Sequence, residues 1–92
     1  MPISMIKLVH IAPAGDAALA LTFSDGTRGH WSAADLIARD TVLTEPLADP
    51  AYFARAFIEA GALAWPNGLE LSAPNLQRRL SAQGRLIGMA AE

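Results

Sequence analysis

A run of alternating large and small residues followed by an Asp-Gly pair constrains the fold more than any other stretch of this sequence. In AALALTF the large side chains Leu19, Leu21 and Phe23 recur at every second residue, which is the period of a strand with one buried face. The Asp-Gly pair at 25–26 and the segment TRGHW follow directly. Asp-Gly between two such segments is a strong hairpin signal, so the sequence predicts two antiparallel strands joined by a tight loop.

The length of that loop determines which side chains share a face. A two-residue loop would pair Phe23 with Arg28 and set a charge on the apolar face. A three-residue loop over 24–26, with its glycine in the left-handed conformation, instead sets Trp31 opposite a leucine and keeps that face apolar. We therefore predict the three-residue loop, in which Arg28 and His30 point to the other face, toward solvent or a partner.

Turn and capping residues divide the remaining chain into short strands and helices. Strands are predicted over 3–12 and 69–71, and helices are predicted to begin at the N-caps Ser32, Asp49 and Ser72. The motif WPNG has the residue preferences of a type I turn. The chain is therefore predicted to mix short strands with short helices.

The segment from 55 to 60 has two interpretations. As a helix that ends at Gly61, it would place Phe53, Phe57 and two alanines on one stripe. As a strand, it would turn at Gly61 and form a hairpin with the segment ALAW. The residue pattern by itself slightly favours the helix.

Two longer stretches give the chain a resemblance to a known family. They are LTFSDGTRGHWSAADL at 21–36 and LADPAYFARAFIEAGALAWPNGLELSAPNL at 47–76. In their motifs and their order they resemble a bacterial family known as domain of unknown function 2442, over roughly residues 5–80. The resemblance implies a small α+β domain with an extended segment before Trp65, which favours the strand interpretation of 55–60.

The predicted fold is therefore of the α+β class. We expect a small antiparallel β-meander of about five or six short strands, with two or three short helices packed on one side. One domain is predicted over 1–92, with residues 85–92 as a flexible or partner-ordered tail. Alanine supplies 19 of the 48 hydrophobic residues, so the core is predicted to be modest.

Charge and composition exclude several classes of protein. Seven basic and nine acidic residues give a net charge of −2, which offers no overall attraction to nucleic acid or to an anionic membrane. The absence of cysteine excludes disulfides, thiolate metal sites and cysteine nucleophiles. No window has the length and apolarity of a membrane span, and no signal peptide is recognisable, so we predict a cytoplasmic location and no membrane partner.

No motif predicts a catalytic residue, a cofactor or a metal ligand. His10 and His30, with Asp25 or Asp35, are residue types that bind zinc, but their spacing matches no ligand motif. None of the serines lies in a nucleophile elbow, and the glycines are too scattered for a phosphate-binding loop. The sequence therefore predicts no catalytic, cofactor-binding or metal-binding residue.

Seven residues are candidates for an interaction surface. They are Arg28, His30, Trp65, Asn67, Arg78, Arg79 and Arg85. Trp65 is either a surface anchor or part of the core, and the core is favoured because large aromatics at strand ends usually close a small core. The last three arginines form a basic cluster on or just after the last helix, where a solvated helix end also carries positive charge.

The leading hypothesis is a non-enzymatic protein-interaction or regulatory module, acting as a homodimer or on a protein partner. Some relatives in the resembled family carry a helix-turn-helix DNA-binding segment, and others are similar to proteins encoded beside small toxin-like partners, which implies a transcriptional or toxin-antitoxin context. An alternative is a small-ligand-binding or catalytic domain in which Asp25, Arg28 and His30 act beside the 24–26 turn. A second alternative is weak DNA association through the C-terminal arginines.

Overall fold

Two small antiparallel sheets, with helices between and after them, form the fold. A computed structural model describes residues 6–88 of the chain. The strands are β1 Leu8–Pro13, β2 Ala18–Phe23, β3 Arg28–Ser32, β4 Phe57–Glu59, β5 Ala62–Ala64 and β6 Glu70–Leu71; the helices are α1 Ala34–Arg39, α2 Pro50–Phe53 and α3 Ala73–Ala82, with a 3₁₀ helix at Glu45–Ala48. The first sheet has the order β1-β2-β3 and the second β4-β5-β6. The predicted α+β class, with short antiparallel strands and short helices, is confirmed for the described residues.

The β2–β3 hairpin has the register that the three-residue loop predicts. Leu19 lies opposite Trp31, and the Phe23 backbone N–H donates to the carbonyl oxygen of Thr27 at 2.8 Å. Gly26 has a φ of +91°, in the left-handed region that glycine adopts without strain. The large side chains of both strands therefore share the buried face.

The first strand begins later than predicted and contains an irregularity. It runs from Leu8 through Pro13, whereas the predicted strand began at residue 3, and residues 3–5 lie outside the described residues. The pairing register shifts between Leu8 and His10, so Val9 is an extra residue in β1. Both Val9 and His10 are exposed, because a bulge of this kind turns successive side chains out of regular alternation.

The second sheet resolves the two interpretations of residues 55–60. Phe57–Glu59 form a strand that pairs with β5, so the strand interpretation is confirmed. Ala60 and Gly61, which connect the two strands, have φ values of +53° and +82°. Positive φ at both central residues is the pattern of a type I′ turn, whose twist matches that of paired strands.

Two of the three predicted N-caps are confirmed, and one is shifted by a residue. The Asp49 carboxylate accepts a hydrogen bond from the Ala51 backbone N–H at 3.0 Å, and the Ser72 hydroxyl accepts one from Asn75 N–H at 3.3 Å. The N-cap of α1 is Ala33 rather than Ser32, but the Ser32 hydroxyl does accept a hydrogen bond from the Ala34 backbone N–H at 3.1 Å, as predicted for a residue that opens this helix. Ala33 is completely buried and its N–H donates to the carbonyl of Ala17, which holds it in place and delays the start of the helix.

One hydrophobic core joins both sheets to α3. Leu21 of β2, Leu63 of β5 and Leu80 of α3 are each at most 1% exposed and belong to the same cluster. Between the sheets, the Leu8 N–H also donates to the carbonyl oxygen of Gly61 at 2.8 Å. The sheets are therefore held together mainly by side-chain packing.

Gly29 allows the end of α3 to approach the inner face of the first sheet. A Cβ atom at this position would lie 2.7 Å from the Arg85 carbonyl oxygen and 3.1 Å from a methyl carbon of Leu80. The distance of 2.7 Å to a backbone oxygen is too short for a Cβ atom, so any side chain at residue 29 would force the chain after α3 to move. The absence of a side chain in β3 is thus what lets the chain leave α3 close to the sheet.

The Ala60 turn gives a test of this description. Ala60→Asn is expected to raise the free energy of unfolding by about 1 kcal/mol, because Asn tolerates the left-handed conformation better than alanine. For a chain of this size that is roughly 4–8 °C in melting temperature, measured by circular dichroism. The matched control is Ala54→Asn, at an exposed residue with a φ of −68°, where no gain is expected. An Ala60→Asn variant that melts at or below the wild-type temperature would contradict the turn assignment.

Candidate functional site

The outer face of the first sheet is open to solvent. Strand pairing arranges it in two cross-strand rows, His10–Thr22–Arg28 and Ala12–Ala20–His30. Arg28 and His30 are exposed and point away from the core, in agreement with the three-residue loop. Threonine and alanine are the middle residues of these rows, so small side chains form the middle of this face.

The segment after α3 completes the outer face. The Arg28 N–H donates to the carbonyl of Ile87 at 2.9 Å, and the Ile87 N–H donates back to the carbonyl of Arg28 at 2.8 Å. This antiparallel bridge sets residues 85–88 beside β3, and the remainder of the predicted tail, 89–92, lies outside the described residues.

A shallow concavity forms where β2, β3 and this segment meet. Its volume is about 240 Å³, and it is lined by Ala20, Leu21, Thr22, Arg28, Gly29, His30, Arg85 and Ile87. We call it the basic concavity. It brings together three of the residues that the sequence singled out, Arg28, His30 and Arg85, which are up to 57 positions apart in the chain.

The strands that form the outer face contain no acidic residue. β1, β2, β3 and residues 85–88 include Arg28, Arg85 and both histidines, but neither Asp nor Glu. Within residues 6–88 the salt bridge that forms joins Arg79 to Asp35, so no described carboxylate is paired with Arg28 or Arg85. The outer face is therefore a basic surface on a chain whose net charge is −2.

Asp25 belongs to a different site, on the α3 side of the hairpin loop. Its carboxylate accepts hydrogen bonds from the Thr27 hydroxyl at 2.6 Å, from the Thr27 N–H at 3.0 Å and from the Gln77 amide at 2.9 Å. These donors, the Thr27 hydroxyl above all, lower the pKa of Asp25 below its usual value. Because the lowered pKa belongs to the folded state, the network stabilises the fold above the ordinary carboxyl pKa, and that stabilisation is lost as the pH falls through the lowered value.

The residues of the catalytic alternative are therefore not brought together. Arg28 and His30 line the basic concavity, whereas Asp25 lines a separate surface depression with Thr27 and Gln77. In this position Asp25 ties the loop of the first hairpin to α3. These hydrogen bonds give the Asp of the Asp-Gly motif a structural role that requires no catalytic function.

The arginines of the predicted basic cluster face different sides of the molecule. Arg78 donates to the side chain of Asn75 and lines the same depression as Asp25. Arg79 lies 3.8 Å from the Asp35 carboxylate and lines a groove between α1 and α3. Arg85 lines the basic concavity. Neighbouring residues of a helix point about 100° apart, which separates the first two.

Trp65 lies in the core. It is 1% exposed, and its indole N–H donates to the backbone carbonyl of Phe53 at 3.1 Å. Its ring lies 5.7 Å from that of Phe53 and 6.2 Å from that of Trp31, in tilted arrangements that favour aromatic pairs. The burial of Trp65 agrees with the core interpretation, which was favoured over a surface anchor.

Asn67 is exposed, yet its hydrogen bonds hold the turn against two neighbouring segments. Its side-chain amide donates to the Leu43 carbonyl at 3.1 Å and its side-chain oxygen accepts from the Leu69 N–H at 3.1 Å. Its backbone N–H donates to the Tyr52 hydroxyl at 3.0 Å. The Asn of the WPNG motif therefore has a structural role.

An apolar cleft was missed by the sequence analysis. Its volume is about 610 Å³, and it lies between the β1–β2 end of the first sheet and the helical segment from Leu47 to Ala56. Buried Leu19, Leu47 and Phe53 line it, and Asp16 is its one charged lining residue. Its walls come from segments about thirty residues apart. Each segment has the apolar composition of an ordinary core segment, so neither one predicts a cleft.

Within 6–88 no group of three or more His, Asp or Glu side chains is arranged to hold a metal ion. None of the helices found there has the length and apolarity that crossing a membrane requires.

Replacing Trp65 is expected to damage stability before it damages any binding function. Trp65→Ala removes a fully buried side chain, which costs about 3–5 kcal/mol, a large part of the roughly 5–15 kcal/mol that stabilises a typical domain. Trp65→Phe keeps most of the ring packing but leaves the Phe53 carbonyl without its donor, so a loss of about 1–3 kcal/mol is expected. Urea denaturation followed by circular dichroism measures both.

Val42→Ala is the control for Trp65, because Val42 is 87% exposed and its truncation is expected to change stability by less than about 0.5 kcal/mol. A Trp65→Ala variant that unfolds like the wild type but fails to bind a partner would instead identify Trp65 as an interaction residue.

The comparisons with known proteins identify a family and no individual relative. No curated protein matches this chain, and no solved structure matches it. The sequence profile that does match begins at the first residue of β1 and ends within α3, so it includes both sheets and the motifs on which the resemblance was based. Since it spans residues 8–80, the chain belongs to the family described as "Protein of unknown function (DUF2442)".

Proposed function

We propose that this domain is a non-enzymatic interaction module that binds a protein partner through the outer face of the first sheet. The observation that supports the proposal is that Arg28, His30 and Arg85 line one concavity on an exposed face. Arginine is enriched at protein interfaces and among the residues that carry most of the binding energy. The regulatory context that the family resemblance implies would be one use of such a module.

The same geometry gives less support to the two alternatives. A catalytic site at the first hairpin needs Asp25 near Arg28 and His30, but the hydrogen bonds of Asp25 direct it toward Thr27 and Gln77. DNA association needs arginines that follow a phosphate backbone together, whereas the three candidate arginines line separate depressions. An exposed face for a protein partner needs neither arrangement.

Affinity purification from the native host tests the proposal. The tagged domain is expected to co-purify with a partner protein that a Thr22→Glu variant fails to retain, because this change introduces a charged side chain at the centre of the outer face. We expect the affinity to fall at least about tenfold, which corresponds to about 1.4 kcal/mol. The purified pair is measured by isothermal titration calorimetry.

The matched control for Thr22→Glu is Ala51→Glu, at an exposed residue of α2 outside the outer face, where binding is expected to persist. Recovery of a monomer without any partner, by light scattering at micromolar concentration, contradicts the proposed function.

The apolar cleft supports a second candidate function, the binding of a small molecule that carries a cationic group on an apolar body. Its volume of about 610 Å³ lies in the range of small-molecule sites, roughly 300–1,000 Å³. Asp16 is the one charged residue of its lining, so a cationic group on an apolar body fits the site better than an anionic one.

Phenethylamine and 3-phenylpropionate, which have similar shape and opposite charge, distinguish this second function. We expect the amine to shift the NMR resonances of Ala17 and Ala54 and the carboxylate not to, with the preference lost in Asp16→Asn and kept in Asp40→Asn. The amine is expected to bind at about millimolar affinity, as a small fragment does. Equal shifts from both compounds, or none from either, rule out a cation site.

A further inference from the structure

We infer that the basic concavity binds the carboxylates of an acidic segment in a partner protein. This inference rests on the proposed function, because it specifies the chemistry of the partner that the outer face recognises. It also assigns a role to Arg85, whose position in the fold depends on the bridge between Arg28 and Ile87.

Positive charge is concentrated in the basic concavity. Arg28 and Arg85 line a space of about 240 Å³ together with His30. Each guanidinium carries a positive charge, so an anion bound in this space is attracted by both. No carboxylate within residues 6–88 forms a salt bridge with either arginine.

The acidic residues lie away from the outer face. The eight that the structure describes are Asp16, Asp25, Asp35, Asp40, Glu45, Asp49, Glu59 and Glu70, and all lie outside the strands of the outer face. Five basic residues, Lys7, Arg39, Arg55, Arg78 and Arg79, also lie outside that face, so the described chain is net acidic there and basic on the outer face. Such a separation of charge orients a partner as well as attracting it.

The shape of the site suits a small anionic group. Ala20 and Thr22 contribute short side chains to the concavity, and Arg28 and Arg85 also line it. A planar guanidinium donates two parallel hydrogen bonds to a carboxylate, which makes the pair directional as well as attractive. A carboxylate side chain is small enough to enter a space of this size.

Nucleic acid fits the same surface less well. No Phe, Tyr or Trp side chain lines the basic concavity, so a base lacks the large rings that form the strongest stacking platforms. Two arginines neutralise few phosphates, and the remainder of a chain with net charge −2 repels a polyanion. Protein carboxylates are therefore the occupant that the charges and the lining favour.

A fluorescein-labelled decaglutamate peptide tests the inference by fluorescence anisotropy at low salt. The variant Arg28→Gln/Arg85→Gln is expected to bind it at least about tenfold more weakly than the wild type. The control Arg55→Gln/Arg78→Gln changes the net charge by the same amount at exposed residues outside the basic concavity, and a change below about twofold is expected. Thermal melting of both variants verifies that they remain folded.

Several outcomes overturn the inference. If the control variant loses as much affinity as Arg28→Gln/Arg85→Gln, binding follows net charge and not this site. If a labelled DNA duplex binds more tightly than the peptide and depends on the same two arginines, the partner is nucleic acid. If Glu92→Gln strengthens peptide binding as much as the Arg28→Gln/Arg85→Gln variant weakens it, the carboxylate of Glu92 competes with the peptide, and the natural occupant of the basic concavity is this chain and not a partner.

The NMR spectrum locates the contact. Saturating decaglutamate is expected to shift the amide resonances of Ala20 and His30, which line the basic concavity, and to leave that of Ala51 in α2 unchanged. Shifts confined to other elements refute the site.

Failure of the inference and failure of the proposed function give different results. A partner that co-purifies with the domain and is still retained by Arg28→Gln/Arg85→Gln overturns the carboxylate site but leaves the interaction function intact. Absence of any partner, together with arginine-dependent peptide binding, overturns the function while the anion site stands.

Discussion

The close approach of backbone to backbone at Gly29 determines much of this structure. Because β3 has no side chain at that position, the carbonyl oxygen of Arg85 can lie 2.7 Å from where a Cβ atom would be, and Leu80 packs against the inner face of the sheet. The chain then continues beside β3, and Ile87 forms its bridge to Arg28. Packing on the inner face thus places Arg85, a candidate interaction residue, at the edge of the outer face.

Side-chain packing connects the two sheets. The second sheet, with Trp65 at the end of β5, lies against Phe53 and Trp31, while Phe57 of β4 remains 40% exposed. The first sheet buries one face in the same core and leaves the other open. The motifs that most clearly identify the family therefore build the core, while the candidate interaction surface consists of residues that the core does not need.

Local patterns predict the parts of this fold that depend on local physics. The register of the first hairpin follows from alternation and from a glycine that must adopt a positive φ, and the caps at Asp49 and Ser72 follow from a side chain that satisfies a nearby N–H. Residues 55–60 are different, because alanine and phenylalanine fit a helical stripe and a strand equally well. The type I′ turn at Ala60 decides the matter, and an Ala-Gly pair is a weak signal for that turn.

The candidate site was only partly predictable for a related reason. The alternation of β3 shows that Arg28 and His30 leave the core, but nothing local shows that Arg85 joins them, since its position depends on packing against Gly29. Arg78 and Arg79 were grouped with Arg85 because they are close in sequence. Neighbouring residues of a helix point in different directions, so the two arginines line different depressions. The apolar cleft was not predicted at all, because two segments that are each unremarkable create it between them.

The irregularity of β1 has a consequence for self-association. β1 is an edge strand of the first sheet, and open edges of this kind invite another chain to add a strand, which is a common route to aggregation. The extra residue Val9 interrupts the regular row of backbone groups near one end of β1, and Pro13 offers no N–H at the other. Few consecutive donors and acceptors remain for an incoming strand, so this edge is protected against sheet extension.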